Sequence, residues 1–170
     1  GGAKWFKVTE NEQAGNRPFY YADLRVDPKN PDRVYSLWTY VTRSDDGGKN
    51  WKTITPYNRI HPDHHAMWID PEHPSHIIEG NDGGMNISYD YGESWHFVEN
   101  LPLAQFYHIN VDDLLPYNVY GGMQDNGSWM GPAYSLTTDG IRNEEWSELF
   151  FGDGFDVMPD LAQSFADSVT

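Results

Sequence analysis

An aspartate recurs through this chain at nearly constant spacing, and the segments around it recur with it. The stretches "LRVDPKNPDRVYSLW" (24–38), "MWIDPEHPSHIIEGN" (67–81) and "INVDDLLPYNVYGGM" (109–123) place Asp27, Asp70 and Asp112 at intervals of 43 and 42 residues. A period of forty-odd residues is that of a four-stranded sheet used as a repeating unit, each too small to bury its own apolar face alone. In every copy an alternating apolar segment runs into the aspartate, a short turn carrying proline follows, and a second strand such as "RVYSLW" or "NVYGG" returns. Alternation at period two is the strand signature, so the expectation is an all-β chain.

A second motif keeps the same phase. "SDDGGKNW" (44–51) returns as "SYDYGESW" (88–95). Ser44 and Asp46, like Ser88 and Asp90, are short polar side chains suited to bonding backbone amides of their own turn. Gly48 and Gly92 supply positive φ without a Cβ clash. Trp51 and Trp95 open the returning strand and can cover the turn with a ring. The pattern therefore reads as a structural fastener between the third and fourth strands of each unit, not as a ligand site.

The boxes resemble the Asp-box, or BNR, repeats of sialidase-type β-propellers, and the units as wholes are similar to the sortilin-like and xyloglucanase-like branch of those repeats. "HPDHHAMWIDP", "EGNDGG", "YGGMQDNGS" and "GDGFDV" look like segments of large bacterial secreted BNR-repeat proteins, so the resemblance spans residues 2–160. It implies β-propeller blades in a secreted, periplasmic or extracellular protein. It specifies chemistry poorly, since members include hydrolases, peptide receptors and assembly factors.

The phase sets expected boundaries: an outer strand of a preceding blade at 1–10, where "GAKWFKV" aligns with the end of a box, blades at 18–56, 63–100 and 105–151, and the opening of a further blade at 152–170. About three four-stranded blades of a larger propeller are expected. The remaining blades, or another subunit, would then be partners.

Composition narrows the partner classes. Twenty-six acidic residues against 11 basic ones give a formal net charge of −15, which disfavours nucleic acid and anionic membrane surfaces. No apolar run is long enough to span a bilayer. Zero cysteines exclude disulfides and thiolate metal sites.

Four stretches carry candidate site residues. "HPDHHAMWID" (61–70) groups His61, Asp63, His64 and His65; an extended strand would put His61, Asp63 and His65 on one side, as a polar rim facing a ligand. "EGNDGGMNIS" (79–88) sets Asp82 before two glycines. The resemblance to xyloglucanase-like enzymes implies a catalytic carboxylate there, although the spacing differs by one residue and the flanking aromatic is absent. "GGMQDNGSW" (121–129) offers Gln124, Asp125 and Asn126 for a polar ligand and Trp129 as a stacking face, and "FGDGFD" (151–156) adds Asp153. Asp125 and Asp153 are the candidate carboxylate partners of Asp82. No metal site is expected and no cofactor, calcium being the one alternative that the Asp/Asn-Gly loops raise. A sialidase's three-arginine clamp is not assembled from the scattered arginines.

The expected function is an extracytoplasmic recognition propeller, or part of one, whose ligand is a glycan or a polypeptide. The alternatives are a xyloglucanase-like glycoside hydrolase using carboxylate acid/base chemistry and a structural subunit or assembly factor of a larger complex. The residues leave enzymatic activity undecided.

Overall fold

A computed structural model describes residues 2–17, 20–101 and 103–160. Twelve strands form three four-stranded antiparallel sheets, each a simple meander in chain order, and the only helical segments among the described residues are two three-residue 3-10 turns. The first sheet holds β1 (Asp23–Val26), β2 (Val34–Leu37), β3 (Val41–Ser44) and β4 (Lys52–Thr53). The second holds β5 (His64–Ile69), β6 (Ile77–Asn81), β7 (Gly84–Ser88) and β8 (His96–Phe97). The third holds β9 (His108–Val111), β10 (Asn118–Gly122), β11 (Ser128–Pro132) and β12 (Ser147–Phe150). The chain divides into two compact units, Gly1–Glu99 with the first two sheets and Asn100–Thr170 with the third.

The aspartate repeat is a repeat of hydrogen bonds. The first hairpin of each sheet closes in the same register, Val26 opposite Val34, Ile69 opposite Ile77 and Val111 opposite Val119. In each, the aspartate N–H donates across the turn: Asp27 to Arg33 O at 3.0 Å, Asp70 to His76 O at 3.0 Å, Asp112 to Asn118 O at 3.3 Å. Its Oδ1 then accepts amides inside the turn, from Lys29 at 2.8 Å, from Glu72 at 2.7 Å and from Leu114 at 3.2 Å respectively. A carboxylate is used because backbone donors left over by a tight reversal need an acceptor close to the chain.

In the first unit the core lies where the first two sheets meet. Tyr35, Leu37, Val41 and Ile54 pack with Met67 and Ile77, and Ile69 and Trp95 lie against them. Each such buried side chain contributes about 1.5–3 kcal/mol relative to exposure. Charged side chains clamp the rim: Arg25 Nε donates to Met67 O at 3.1 Å, and Arg43 donates to Tyr91 O at 2.7 Å and to Glu93 at 2.8 Å.

The third sheet is covered by rings laid over glycine. A Cβ on Gly131 would sit 2.4 Å from the Trp146 ring, and one on Gly121 would sit 2.5 Å from Phe106. Phe106 and Trp146 are themselves stacked, with centroids 6.1 Å apart. Edge strand β12 is exposed at all four positions.

Two expected strands take another form. Residues 2–10 and 152–160 carry no strand. The N-terminal segment touches the first sheet through side-chain donors, Thr42 to Gln13 O at 2.5 Å and Ser36 to Ala14 O at 2.8 Å. The segment after β12 is held by single backbone bonds, among them Gly154 N to Met123 O at 2.8 Å. A strand needs a run of backbone bonds, and the segment after β12 has isolated ones. Residues 161–170 of the expected further blade lie outside the described residues.

Candidate functional site

The two boxes match bond for bond. Ser44 Oγ donates to Asp46 Oδ1 at 2.8 Å and accepts the Gly48 N–H at 2.9 Å; Ser88 Oγ donates to Asp90 Oδ1 at 2.9 Å and accepts the Gly92 N–H at 2.8 Å. Asp46 Oδ1 takes the Asn50 amide at 2.9 Å, and Asp90 Oδ1 takes the Ser94 amide at 2.9 Å. The Asn50 amide and side chain, with Ser44 Oγ, hold the Asp46 carboxyl down at about 2. Partial desolvation works the other way at Asp90, but the Ser94 and Ser88 bonds prevail and its pKa is also lowered. Ser44, Asp46, Ser88 and Asp90 are thus all spent on their own turns. The third sheet has a longer counterpart that the seven-residue spacing hides: Trp146 directly precedes β12 as Trp51 precedes β4, and Ser135, Thr137 and Glu145 bond one another across the connection.

In a meander the aspartate turns and the boxes fall at one end of a sheet, and the turn between its second and third strands falls at the other. The candidate residues of the second and third sheets all fall at that other end of their own sheet. In the second sheet they converge. The expected single-sided strand from His61 to His65 does not form: Asp63 has φ 65°, β5 starts only at His64, and a bulge lies between His64 and Ala66. That irregularity turns His64 inward and His65 outward. Asp82, in the β6–β7 turn, donates its N–H to Asp63 O at 3.2 Å, and its carboxylate lies 2.8 Å from His65 Nε2. His61 packs on Gly83, where a Cβ would come within 2.5 Å of it. The "HPDHH" and "NDGG" stretches are therefore one site.

Residues from before the first sheet complete it. Tyr21 O–H donates to Asp63 Oδ1, and Arg17 reaches both the Tyr21 oxygen and Asp63, the latter at 3.2 Å. Arg17 also lies over the Tyr21 ring, 4.7 Å from its centroid, and the Tyr21 ring is 4.5 Å from His65. Tyr20 stands edge-on to His65 at 5.9 Å and is 81% exposed. Burial, then the bond to Asp63 and its charge, push the Tyr21 hydroxyl up to about 12. Sequence reasoning did not single out Arg17, Tyr20 or Tyr21, which no local motif marks.

Beneath this surface lies a pair that the sequence also concealed. His64 Nδ1 is bonded to Glu79 Oε1, with both side chains essentially without solvent contact, and Asn86 Nδ2 donates to Glu79 Oε2 at 3.0 Å. Glu79 lies in the middle of an apolar strand pattern, and its alternation puts it on the packed face. The expected ligand role for His64 is replaced by this one: the residue is buried, and its backbone N–H donates to Trp38 O at 2.8 Å.

Asp63 and Asp82 have carboxylate oxygens within 4.8 Å of each other. Glycosidases that retain configuration hold their carboxyls about 5–5.5 Å apart, and inverting ones about 6.5–9.5 Å. A closest approach of that size is compatible with the retaining spacing, but Asp63 is committed to Arg17 and Tyr21. What the arrangement can do is present a fixed donor, acceptor and ring surface to a polar ligand.

The third sheet gathers the other candidates. Asp125 has φ 57°, and its N–H donates to Asp153 Oδ1 at 3.0 Å. Asn126 Nδ2 donates to Gln124 O at 3.0 Å, and Gln124 Oε1 accepts the Tyr107 hydroxyl at 2.5 Å. Trp129, expected as a stacking face, is half-buried, with its indole N–H held by Asn126 O at 2.7 Å. Its role matches that of Trp51, whose indole donates to Gly48 O at 2.9 Å.

No protein-family profile matches the chain, and no curated protein is significantly similar to it. Among solved structures it is similar to a xyloglucanase from Xanthomonas campestris, with a TM-score of 0.39 and 17% identity over 64% of this chain. The match covers 20% of that enzyme's chain.

Proposed function

We propose that the three sheets are blades of an extracytoplasmic β-propeller that acts as a recognition module, and that its ligand is a neutral glycan. The observation that carries this reading is the cluster of Arg17, Tyr20, Tyr21, Asp63, His65 and Asp82, in which each polar group is held by another and a largely exposed ring stands beside them. Preorganised polar groups beside aromatic surface suit a ligand rich in hydroxyls. A net charge of −15 turns away polyanions and favours an uncharged partner. The extracytoplasmic setting is supported by the likeness of the repeats to secreted proteins; no helix among the described residues is long and apolar enough to cross a membrane. The reading needs no cofactor.

The test is binding of the chain to arrayed neutral glycans and to peptides, repeated with His65→Ala and Arg17→Ala. Glycan binding lost in both variants supports the reading. Binding to peptides alone replaces the glycan with a polypeptide. Steady turnover of a β-glucan that Asp82→Asn abolishes would make the module a hydrolase.

One observation favours a second reading, that of a subunit in a larger assembly. Edge strand β12 exposes Leu149 at 45% and Phe150 at 66%, and an open apolar edge invites another strand. Further blades, from elsewhere in the protein or from another subunit, would cover it.

A further inference from the structure

The loop end of the third sheet carries an aromatic platform that no sequence motif marks. Tyr107 and Phe155 are stacked almost parallel, 3° apart in plane and 4.6 Å between centroids, and are 42% and 59% exposed. Both are fixed from below. The Tyr107 N–H donates to Gly122 O at 2.9 Å, and Gly154 N–H donates to Met123 O at 2.8 Å. A Cβ on Gly122 would lie 2.5 Å from the Gly154 carbonyl carbon and 2.6 Å from Phe155 N, so the "GDGF" segment reaches the strand only because position 122 has no side chain.

Polar groups ring the platform. The Tyr107 hydroxyl donates to Gln124 Oε1 at 2.5 Å, which orients the amide and leaves its two Nε2 donors for a ligand. Asp153 accepts the Asp125 N–H with one oxygen at 3.0 Å and has a second oxygen to offer. An apolar partner would bury Gln124 and Asp153 without replacing their hydrogen bonds with water. A nucleotide could stack its base but would bring phosphate against Asp125 and Asp153. A quaternary ammonium prefers ring faces that converge on it, whereas these two rings lie parallel, 3° apart in plane. A pyranose has a face of C–H groups and a rim of hydroxyls that both donate and accept, and it satisfies ring, amide and carboxylate together.

We infer that Tyr107, Phe155, Gln124 and Asp153 form a subsite for one neutral hexopyranose unit, with the C–H face of the sugar against the partly exposed aromatic pair. The inference rests on the glycan reading above and adds a contact point to it.

The experiment is isothermal titration of the full chain with gluco- and manno-hexasaccharides, with choline as a separate arm, for the wild type and for Phe155→Ala, Phe155→Tyr, Gln124→Ala and His65→Ala. The expected result is saturable hexasaccharide binding, weakened about tenfold, or ~1.4 kcal/mol, by Phe155→Ala. Phe155→Tyr restores it, and Gln124→Ala weakens it without changing the circular dichroism spectrum. Should Phe155→Ala fail to fold, Gln124→Ala and the shift of the Phe155 ring resonances on adding sugar carry the test. Binding that Phe155→Ala and Gln124→Ala leave intact while His65→Ala removes it overturns the subsite and leaves the glycan reading standing. Absence of hexasaccharide binding to the wild type overturns both, and choline binding that depends on Phe155 overturns the subsite in favour of a cation.

Discussion

Trp95 donates its indole N–H to the backbone carbonyl of Ile54 at 3.0 Å, tying the second box to the end of the first sheet. Trp51, at the same place in the first box, donates to its own turn instead. The second box is thus a fastener between sheets as well as within one, and Arg43 and Arg33 hold it from the other side, through Tyr91 O at 2.7 Å and over the Tyr91 ring at 4.0 Å.

This arrangement makes Gly92 sensitive. Its φ is 86°, and a Cβ there would come within 2.5 Å of Ile54 Cδ1 and 3.1 Å of the Trp95 ring. Gly140 has φ 81° with nothing within 4 Å. Alanine at either position meets the left-handed penalty of about 1–2 kcal/mol, but Gly92→Ala adds the contact. Urea unfolding is expected to rank Gly92→Ala below Gly140→Ala by more than ~1 kcal/mol; equal losses would contradict the packing.

Acid should loosen the boxes. Hydrogen bonds hold the Asp46 carboxyl at about 2 in the folded chain, below its ordinary 3.8. A depressed folded-state pKa gives stability that is complete above the unfolded value and is lost as pH falls from near 4 toward 2. Asp46→Asn is expected to lower Tm at neutral pH and to flatten its fall across that window. A variant whose Tm keeps the full wild-type slope there would show that Asp46 is not the group being protonated.

Tyr21 runs the other way. Burial and the Asp63 carboxylate raise its hydroxyl to about 12, so the folded state favours the neutral phenol. The associated stability is present below the unfolded value near 10 and is lost as pH climbs through 12. The phenolate absorbance difference between wild type and Tyr21→Phe is expected to titrate near 12, not near 10.

How much of this could be read from residues alone follows from how local each signal is. The aspartate turns and the Ser-Asp bonds of the boxes were legible because the backbone groups they hold lie within six residues, so spacing encodes the bonds. Glu79 was not, because its partner His64 lies 15 residues away on another strand. The site at Asp82 was half legible: both contributing stretches are conspicuous, but the bulge at His64 and the positive φ at Asp63 invert the parity that a regular strand would give. Arg17 and Tyr21 arrive from 46 and 42 residues away from Asp63, in a segment without periodicity. The counterpart in the third sheet carries no such local signal because its spacing from Ser135 to Trp146 is stretched.

The buried pair should be the most costly single loss. Truncating one member of a buried hydrogen-bonded pair costs about 3–5 kcal/mol, since the other is left without a partner. Glu79→Ala is expected at that level, and His64→Ala made in the same background should add little. Independent, additive losses would mean that the two side chains do not share one interaction.

The central claim is that the boxes hold the sheets while recognition occurs at the opposite ends of the strands. Backbone amide shift mapping of the chain during titration with a neutral hexasaccharide tests it most directly. The account predicts shifts at residues 61–65 and 82–84 and at the 123–127 turn, with 44–51 and 88–95 unmoved. Shifts concentrated in the two tryptophan-ended turns, with the Asp63–Asp82 region silent, would contradict it.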